Sequence, residues 1–274
     1  MASATRRVLP GFSLGLGYTM FYLGLLVLVP IGALFLKATS LSWAEFTHAV
    51  WTERARAAYA LTFGASFVAA IVNLAAGGLI AWVLVRYDFW GRRLVDAMVD
   101  LPLALPTAVA GLVYSALYVP KGWLGRVLVP LGIKAAYTRL GIVLVLVFVG
   151  LPFVVRTVQP VLQEIEAEVE EAAASLGATR WQIFRTILFP ALTPALITGF
   201  ALAFARAVGE YGSVVFISSN MPFKTEIAPI LIVARLEEYA YGEATAIAVV
   251  LLVISLALLI GINLLERWSR RHEA

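Results

Sequence analysis

Residues 161–190 read VLQEIEAEVEEAAASLGATRWQIFRTILFP, a polar stretch between two apolar runs. Each flanking run is long enough to cross a bilayer, so this stretch is expected to lie in water at a membrane surface. Apolar residues recur in it at helical spacing from Val161 to Leu176, and the glutamates fall on another face. We therefore predict a surface helix over residues 161–176 with one apolar stripe.

The next few residues predict a sharp turn. Gly177 is expected to end the helix, because glycine readily adopts the left-handed backbone conformation that closes helices. A second helix is expected soon afterwards, since Thr179 is followed three residues later by Gln182, which is the spacing of a capping box. The stretch therefore predicts two helices joined at a glycine elbow.

The composition is that of a membrane protein. Hydrophobic residues make up 61% of the 274 residues, and the mean hydropathy is +0.90. A soluble domain usually holds about 45 to 50% apolar residues. Since each crossing takes roughly 20 residues, we predict an all-α membrane protein with six transmembrane helices.

The six predicted spans follow the apolar runs of the chain. They cover residues 8–36, 57–85, 101–119, 140–155, 191–219 and 244–265. Pro102 and Pro106 interrupt the third span, so its beginning is expected to be bent or unwound. The small residues Gly77 and Gly78 in the second span predict close helix packing.

Residue content excludes several kinds of chemistry. The chain has no cysteine, which rules out disulfides and thiolate metal sites. Its two histidines, His48 and His272, lie outside the apolar runs, so no metal site is predicted. No glycine-rich loop ends in Gly-Lys-Ser or Gly-Lys-Thr, so the chain is not expected to bind a nucleotide. It is not expected to be an enzyme, because no clustered set of acid, base or metal-binding residues faces one site. The net charge of +4 comes mostly from basic residues beside apolar runs, which indicates topology signals and not a nucleic-acid partner.

One pattern within the polar stretch resembles a known family. Its residues are Glu171, Ala172, Ala173, Gly177, Ile187 and Pro190. They resemble the cytoplasmic loop signature of permease subunits in ATP-binding-cassette (ABC) importers, with Phe189 in place of the usual leucine. The resemblance implies a type I importer permease fold with a short coupling helix that sits in a groove on a separate ATPase subunit. It assigns ATPase coupling to Glu171, Ala172, Ala173 and Gly177.

Longer blocks resemble one group of these permeases. They include DLPLALPTAVAGL at 100–112, EEAAASLGATRWQ at 170–182 and RAVGEYGSVVFIS at 206–218. Together with blocks at 6–17 and 152–162, they resemble the T-type permease subunit of bacterial sulfate/thiosulfate importers over nearly the whole chain. The resemblance implies translocation of sulfate or thiosulfate across the inner membrane by alternating access.

The same resemblance implies the partners. They are a W-type permease subunit that completes a heterodimer, two ATPase subunits that bind ATP and Mg, a periplasmic sulfate-binding protein, and membrane lipid. The chain itself is expected to hold no cofactor. Basic clusters at both termini favour two cytoplasmic ends. Basic residues are divided almost evenly between the two sides, so the orientation rests on the loop signature.

Charged residues near the end of the fifth span form a second candidate site. An ionisable side chain within a span costs about 2.5 to 3.5 kcal/mol and normally finds a partner. Arg206 and Glu210 are four residues apart and can pair on one helical face. Two interpretations stand side by side: a structural ion pair between packed helices, or a lining or gate of the solute path. In the second interpretation Ser213, and Thr107 from the third span, join the path.

Other functions and the division of the chain complete the sequence-based expectations. A permease for another oxyanion such as molybdate would be similar in the central blocks. A passive anion channel or an ion-driven carrier would leave the polar stretch unexplained.

We expect the chain to divide into three parts: residues 1–56 with the first helix and a periplasmic connection, residues 57–265 as the core transmembrane domain, and residues 266–274 as a cytoplasmic tail.

Overall fold

The structure is a computed structural model that describes the backbone of residues 12–271 and the side chains of residue 12 and residues 14–264. Every regular element in this part of the chain is helical. Five helices are long and apolar enough to cross a membrane, and a sixth apolar helix is shorter. The predicted all-α membrane fold with six spans is confirmed. The basic pair Arg6 and Arg7 lies outside the described residues.

The amino-terminal part contains one span and one surface helix. Its elements are α1 (Phe12–Leu23), α2 (Val29–Ala38) and α3 (Trp43–Val50). A π-helical turn, Gly24–Leu28, joins the first two into a single span. Ser42 begins α3 with a capping box, in which its side chain and that of Glu45 satisfy each other's backbone N–H groups.

The second span is α4 (Glu53–Arg86), which is followed by a short helix before the third span. Gly91, at φ +88°, turns the chain after α4, and α5 (Arg92–Val99) begins at once. The connection between the second and third predicted spans, residues 86–100, is therefore largely helical. The sequence RRLVDAMV separates charged from apolar residues at helical spacing, which stabilises an amphipathic helix at this position.

The third span is interrupted as the prolines predicted. It consists of α6 (Leu101–Ala104) and α7 (Thr107–Tyr118). Leu105 and Pro106 between them are extended, because proline removes a backbone donor and the residue before it avoids helical angles. Val119 is also extended, so the continuous part ends one residue earlier than predicted. At about 1.5 Å per residue, α7 covers only about 18 Å.

The polar stretch divides into helices differently from the prediction. After α8 (Gly125–Leu128), the chain forms α9 (Arg139–Glu164) and α10 (Ala167–Ser175). The fourth span thus continues to Glu164, and Leu162 is buried in the core as part of it. The prediction of a single surface helix over residues 161–176 was wrong. The backbone is extended at Ile165, so the first part of the apolar stripe belongs to α9 and the rest to α10.

The fifth span is shifted towards the polar stretch. Its elements are α11 (Arg180–Ile183), a π-helical turn (Phe184–Leu188) and α12 (Phe189–Val208). The predicted range 191–219 was wrong at both ends. A capping box at Thr179 starts the helix earlier, and Gly209 ends it earlier. The remaining elements are α13 (Val214–Ile217), α14 (Ala228–Glu237) and the sixth span α15 (Tyr241–Arg271).

The core lies between α4, α9 and α12. Small residues allow these helices to approach closely, as the sequence predicted for Gly77. A Cβ atom on Gly77 would lie 3.0 Å from the Cβ atom of Val154. The amino-terminal helices α2 and α3 pack against α15, so the first and last described spans are neighbours. This arrangement places the polar elbow and the end of α12 at opposite ends of one long helix.

Candidate functional site

The elbow between α9 and α12 is built from local backbone signals. Ile165 and Glu166 are extended and separate α10 from α9. Gly177 has φ +89°, a conformation that L-residues with side chains rarely adopt, and it reverses the chain after α10. The predicted glycine elbow is confirmed.

The capping box after the glycine is also confirmed. The Thr179 backbone N–H donates to Oε1 of Gln182 at 2.7 Å, and the Gln182 backbone N–H donates to the Thr179 hydroxyl oxygen at 3.3 Å. Both bonds satisfy N–H groups that a helix start otherwise leaves free. The box fixes the direction in which α11 and α12 leave the elbow.

The predicted coupling residues all lie on this elbow. Glu171 and Ala172 are exposed, Ala173 is half-buried, and Gly177 is exposed. None of the nine residues of α10 is buried, so the helix presents most of its surface to a possible partner. A Cβ atom on Gly177 would meet no described atom within 4 Å, which leaves open space beside the turn.

An ion pair that local sequence patterns did not reveal joins this elbow to the membrane part. Arg86, the last residue of α4, pairs with Glu170 of α10. Both side chains are about three-quarters buried, with 22% and 26% of their surface exposed. The two residues are far apart in the sequence, so no periodicity connects them. Their opposite charges, and the position of Arg86 just after the second predicted span, were the only available signals.

The second candidate site surrounds a buried carboxylate. Glu210 is 2% exposed and accepts a hydrogen bond of 2.5 Å from Nη1 of Arg206, which is one-third exposed. The backbone N–H and the hydroxyl of Ser213 donate to its other oxygen, each at 2.9 Å. The predicted pairing of Arg206 with Glu210 is confirmed, although Glu210 lies beyond the end of α12.

The third span packs directly against this cluster. A Cβ atom on Gly212 would lie 2.3 Å from Oγ1 of Thr107, and one on Gly111 would lie 2.2 Å from the carbonyl oxygen of Ser213. Glycine is required at 111, where a Cβ atom would meet the backbone of Ser213, whereas a larger residue at 212 would displace the Thr107 side chain. The structure therefore brings all four predicted path residues together, with Thr107 on α7 beside the segment that carries Glu210 and Ser213.

Asp100, just before the third span, belongs to a different ion cluster. Arg156 on α9 donates to Asp100 at 2.6 and 2.9 Å and to Asp96 on α5 at 2.6 Å. These bonds fasten the helix before the third span to α9. Hydrogen bonding from Arg156 holds the pKa of the Asp96 carboxyl below its usual value.

Among the described residues, no group of three or more His, Asp or Glu side chains is arranged to hold a metal ion. The charged clusters consist instead of arginine and carboxylate pairs. Such pairs neutralise charge within or beside apolar helices. The local chemistry available at Glu210 is therefore ion pairing and hydrogen bonding.

Comparison with known proteins identifies the family of this fold. The family described as binding-protein-dependent transport system inner membrane component matches residues 73–271. A sulfate transport system permease protein CysT from Synechocystis sp. is 54% identical, over 93% of this chain and 89% of its own length. One from Salmonella typhimurium is 49% identical, over 99% of this chain and 98% of its own length.

Solved structures share the fold at lower identity. A bacterial ABC transporter involved in the import of the acidic polysaccharide alginate matches with a TM-score of 0.77 and 17% identity. The match covers 93% of this chain and 94% of that chain. A structure of the alginate transporter with its pentasaccharide-bound periplasmic protein gives the same TM-score at 19% identity, over 93% of each chain. The expected ABC importer permease fold is confirmed.

Proposed function

Because this chain belongs to the family of binding-protein-dependent transport system inner membrane components, we propose that it is the permease subunit of an ATP-driven importer for sulfate or thiosulfate. The proposed substrate is supported by relatives named sulfate transport permeases, which are about half identical over nearly the whole chain. The observation that carries the ATP-driven mechanism is the exposed elbow built on α10. A passive channel would have no need of such a surface.

The proposed coupling surface consists of Glu171, Ala172, Ala173 and Gly177. In this proposal α10 docks into a groove on a separate ATPase subunit. The small side chains of Ala172 and Ala173 allow the backbone of α10 to approach the ATPase closely. Two ATPase subunits bind ATP and Mg and perform the hydrolysis, so this chain is not itself an enzyme. A W-type permease supplies the second half of the path, and a periplasmic sulfate-binding protein delivers the anion.

The proposed translocation site consists of Arg206, Glu210, Ser213 and Thr107. Arg206 donates one nitrogen to Glu210 and is one-third exposed, so its remaining donors are available to an oxyanion. Glu210 neutralises much of the arginine charge, which would keep the anion from being held tightly. Weak binding of this kind allows an anion to pass on along a path.

The proposed orientation places α10 and both termini in the cytoplasm, and the end of α12 towards the outside. In the inner membrane, this orientation presents the coupling surface to an ATPase subunit in the cytoplasm.

We further propose that the chain has three parts: residues 1–56 as an amino-terminal tail, span and periplasmic connection, residues 57–265 as the core transmembrane domain, and residues 266–274 as a cytoplasmic tail. The packing of α2 and α3 against α15, outside the core helices, supports the first boundary.

Uptake into membrane vesicles tests the proposed function. The chain is produced together with the second permease, the ATPase and the binding protein, and labelled sulfate is measured inside the vesicles. We expect uptake that requires ATP and is blocked by vanadate. ATP-independent flux of sulfate would indicate a channel or an ion-driven carrier. Molybdate uptake with no competition by sulfate would indicate another oxyanion permease.

A further inference from the structure

The contacts of Arg86 connect three parts of the molecule that meet at the elbow. Its guanidinium pairs with Glu170 of α10 and lies over the ring of Trp82, 5.4 Å from the ring centroid. Arginine above an indole ring is a favourable cation–π arrangement. Arg86 therefore holds the coupling helix against the end of α4.

The aromatic contact continues into the fifth span. Trp82 meets Phe184 edge to face, with ring centroids 6.2 Å apart, and Phe184 stacks on Trp181 at 5.5 Å. Phe184 begins the π-helical turn between α11 and α12. Aromatic pairs at these distances stabilise their relative position. One side chain on α4 thus contacts both the coupling helix and, through Trp82, the start of the fifth span.

The coupling helix has little other means of holding its position. None of its nine residues is buried, and it is bounded by an extended break at Ile165 and by the turn at Gly177. Two such boundaries allow a helix to move relative to its neighbours. A side-chain contact between α10 and the spans is therefore needed for the spans to move when α10 moves.

We propose that Arg86 and Glu170 form the mechanical connection between the coupling helix and the membrane spans, with Trp82 and Phe184 extending it to the fifth span. This inference rests on the proposed function, and it assigns to Arg86 and Glu170 a positioning role that is separate from docking to the ATPase. Movement of α10 pulls on α4 through the ion pair. The aromatic contacts make α12 follow the same movement.

The test measures sulfate transported per ATP hydrolysed in proteoliposomes that contain the complete importer. Glu170→Gln and Arg86→Gln are each compared with the wild-type complex. We expect the complex to assemble and to hydrolyse ATP, but the ratio of sulfate to ATP to fall about five- to tenfold, since an ion pair and a cation–π contact are weakened. The charge-swapped variant R86E/E170R restores the ion pair without the contact to Trp82, so its ratio is expected to exceed those of both single variants while staying below that of the wild type.

A matched control uses another ion pair outside the spans. Arg92 and Asp88 also pair at 2.5 Å, but Asp88 is 94% exposed and the pair does not include α10. Asp88→Asn is expected to leave the ratio of sulfate to ATP unchanged. An unchanged ratio in Glu170→Gln, loss of the ATPase subunit from that variant, or no recovery on charge swapping would overturn the proposal. Absence of ATP-dependent uptake in the wild-type complex would instead overturn the proposed function.

Discussion

Glu210 accepts a 2.5 Å hydrogen bond from Arg206 although the helix that carries Arg206 has already ended at Val208. The carboxylate is held by the segment after the helix, where Ser213 donates to it twice. The pair therefore spans the end of the fifth span and the segment that packs on the third. This position distinguishes it from an ordinary pair along one helix, and it allows the two interpretations of its role to be tested.

Neutralising both partners separates a structural role from a role in transport. Arg206→Gln alone is expected to reduce sulfate uptake about tenfold and to destabilise the fold, because it leaves a buried carboxylate without its counter-ion. R206Q/E210Q removes both charges and is expected to restore stability but not uptake. The measurements are thermal unfolding in detergent and uptake in vesicles.

The control for that experiment is the pair of Arg235 and Glu238, in which the two groups lie 2.6 Å apart and the Glu238 side chain is 48% exposed. R235Q/E238Q is expected to transport sulfate at the wild-type rate. Wild-type uptake by R206Q/E210Q would show that the pair is structural and would remove these two residues from the proposed path.

A substitution at the elbow tests docking. Gly177→Asp is expected to leave membrane insertion intact and to abolish ATP-driven uptake, because it adds charge and backbone strain at the proposed contact surface. Gly132→Asp is a matched control, since Gly132 also has positive φ, at +81°, and open space around it. Both substitutions impose a strain of about 1–2 kcal/mol. Equal loss of uptake in the two variants would attribute the effect to strain and not to docking.

The close contact between Gly150 and Asn73 predicts a non-additive pair of substitutions. A Cβ atom on Gly150 would lie 2.4 Å from Nδ2 of Asn73, and the Asn73 amide has no hydrogen-bond partner among the described residues. Gly150→Ala is expected to destabilise the protein by about 1–3 kcal/mol through overpacking. Asn73→Ala removes the obstructing amide and should be close to neutral.

The double variant N73A/G150A is therefore expected to be nearly as stable as Asn73→Ala, which a double-mutant cycle of unfolding free energies would measure. Ala69 is buried on α4, the helix that also carries Asn73. Ala69→Gly therefore controls for the loss of stability that any substitution at a buried position of α4 causes. Simple additivity of the two effects would mean that the backbone, and not the amide, limits the space at Gly150.

The ion cluster of Arg156 predicts a dependence of stability on pH. The pKa of Asp96 is lower in the folded protein than its ordinary value of 3.8. Its stabilising contribution is therefore fully present above that ordinary value, and it is lost as the pH falls through the lowered folded-state pKa. Asp96→Asn should melt at a lower temperature than the wild type at pH 7, and the difference should shrink below about pH 4. A difference that is constant with pH would contradict this assignment.

Sequence patterns predicted the features that depend on neighbouring residues. The turn at Gly177, the capping box at Thr179 and the pair of Arg206 with Glu210 involve separations of four residues or fewer. The interruption at Pro106 follows from the chemistry of proline itself. Backbone geometry over such short distances is largely independent of the rest of the fold.

Features that depend on tertiary packing were missed or misplaced. Leu162 was assigned to a surface stripe because helical periodicity does not distinguish a surface helix from the continuation of a span. Asp100 and its partner Arg156 are 56 residues apart in the sequence, and five helices separate the helix of Arg86 from that of Glu170. Only the tertiary packing of the helices brings these charges together.

The lack of buried residues in α10 also affects how the importer can diversify. Substitutions on this helix, apart from Glu170, leave the interior of the permease unchanged. With the proposed docking, a lineage can therefore alter the fit to its ATPase without repacking the spans, and laboratory selection for a new motor would begin with the other eight residues. In that arrangement, recognition of the motor and construction of the pore are encoded in separable parts of the gene.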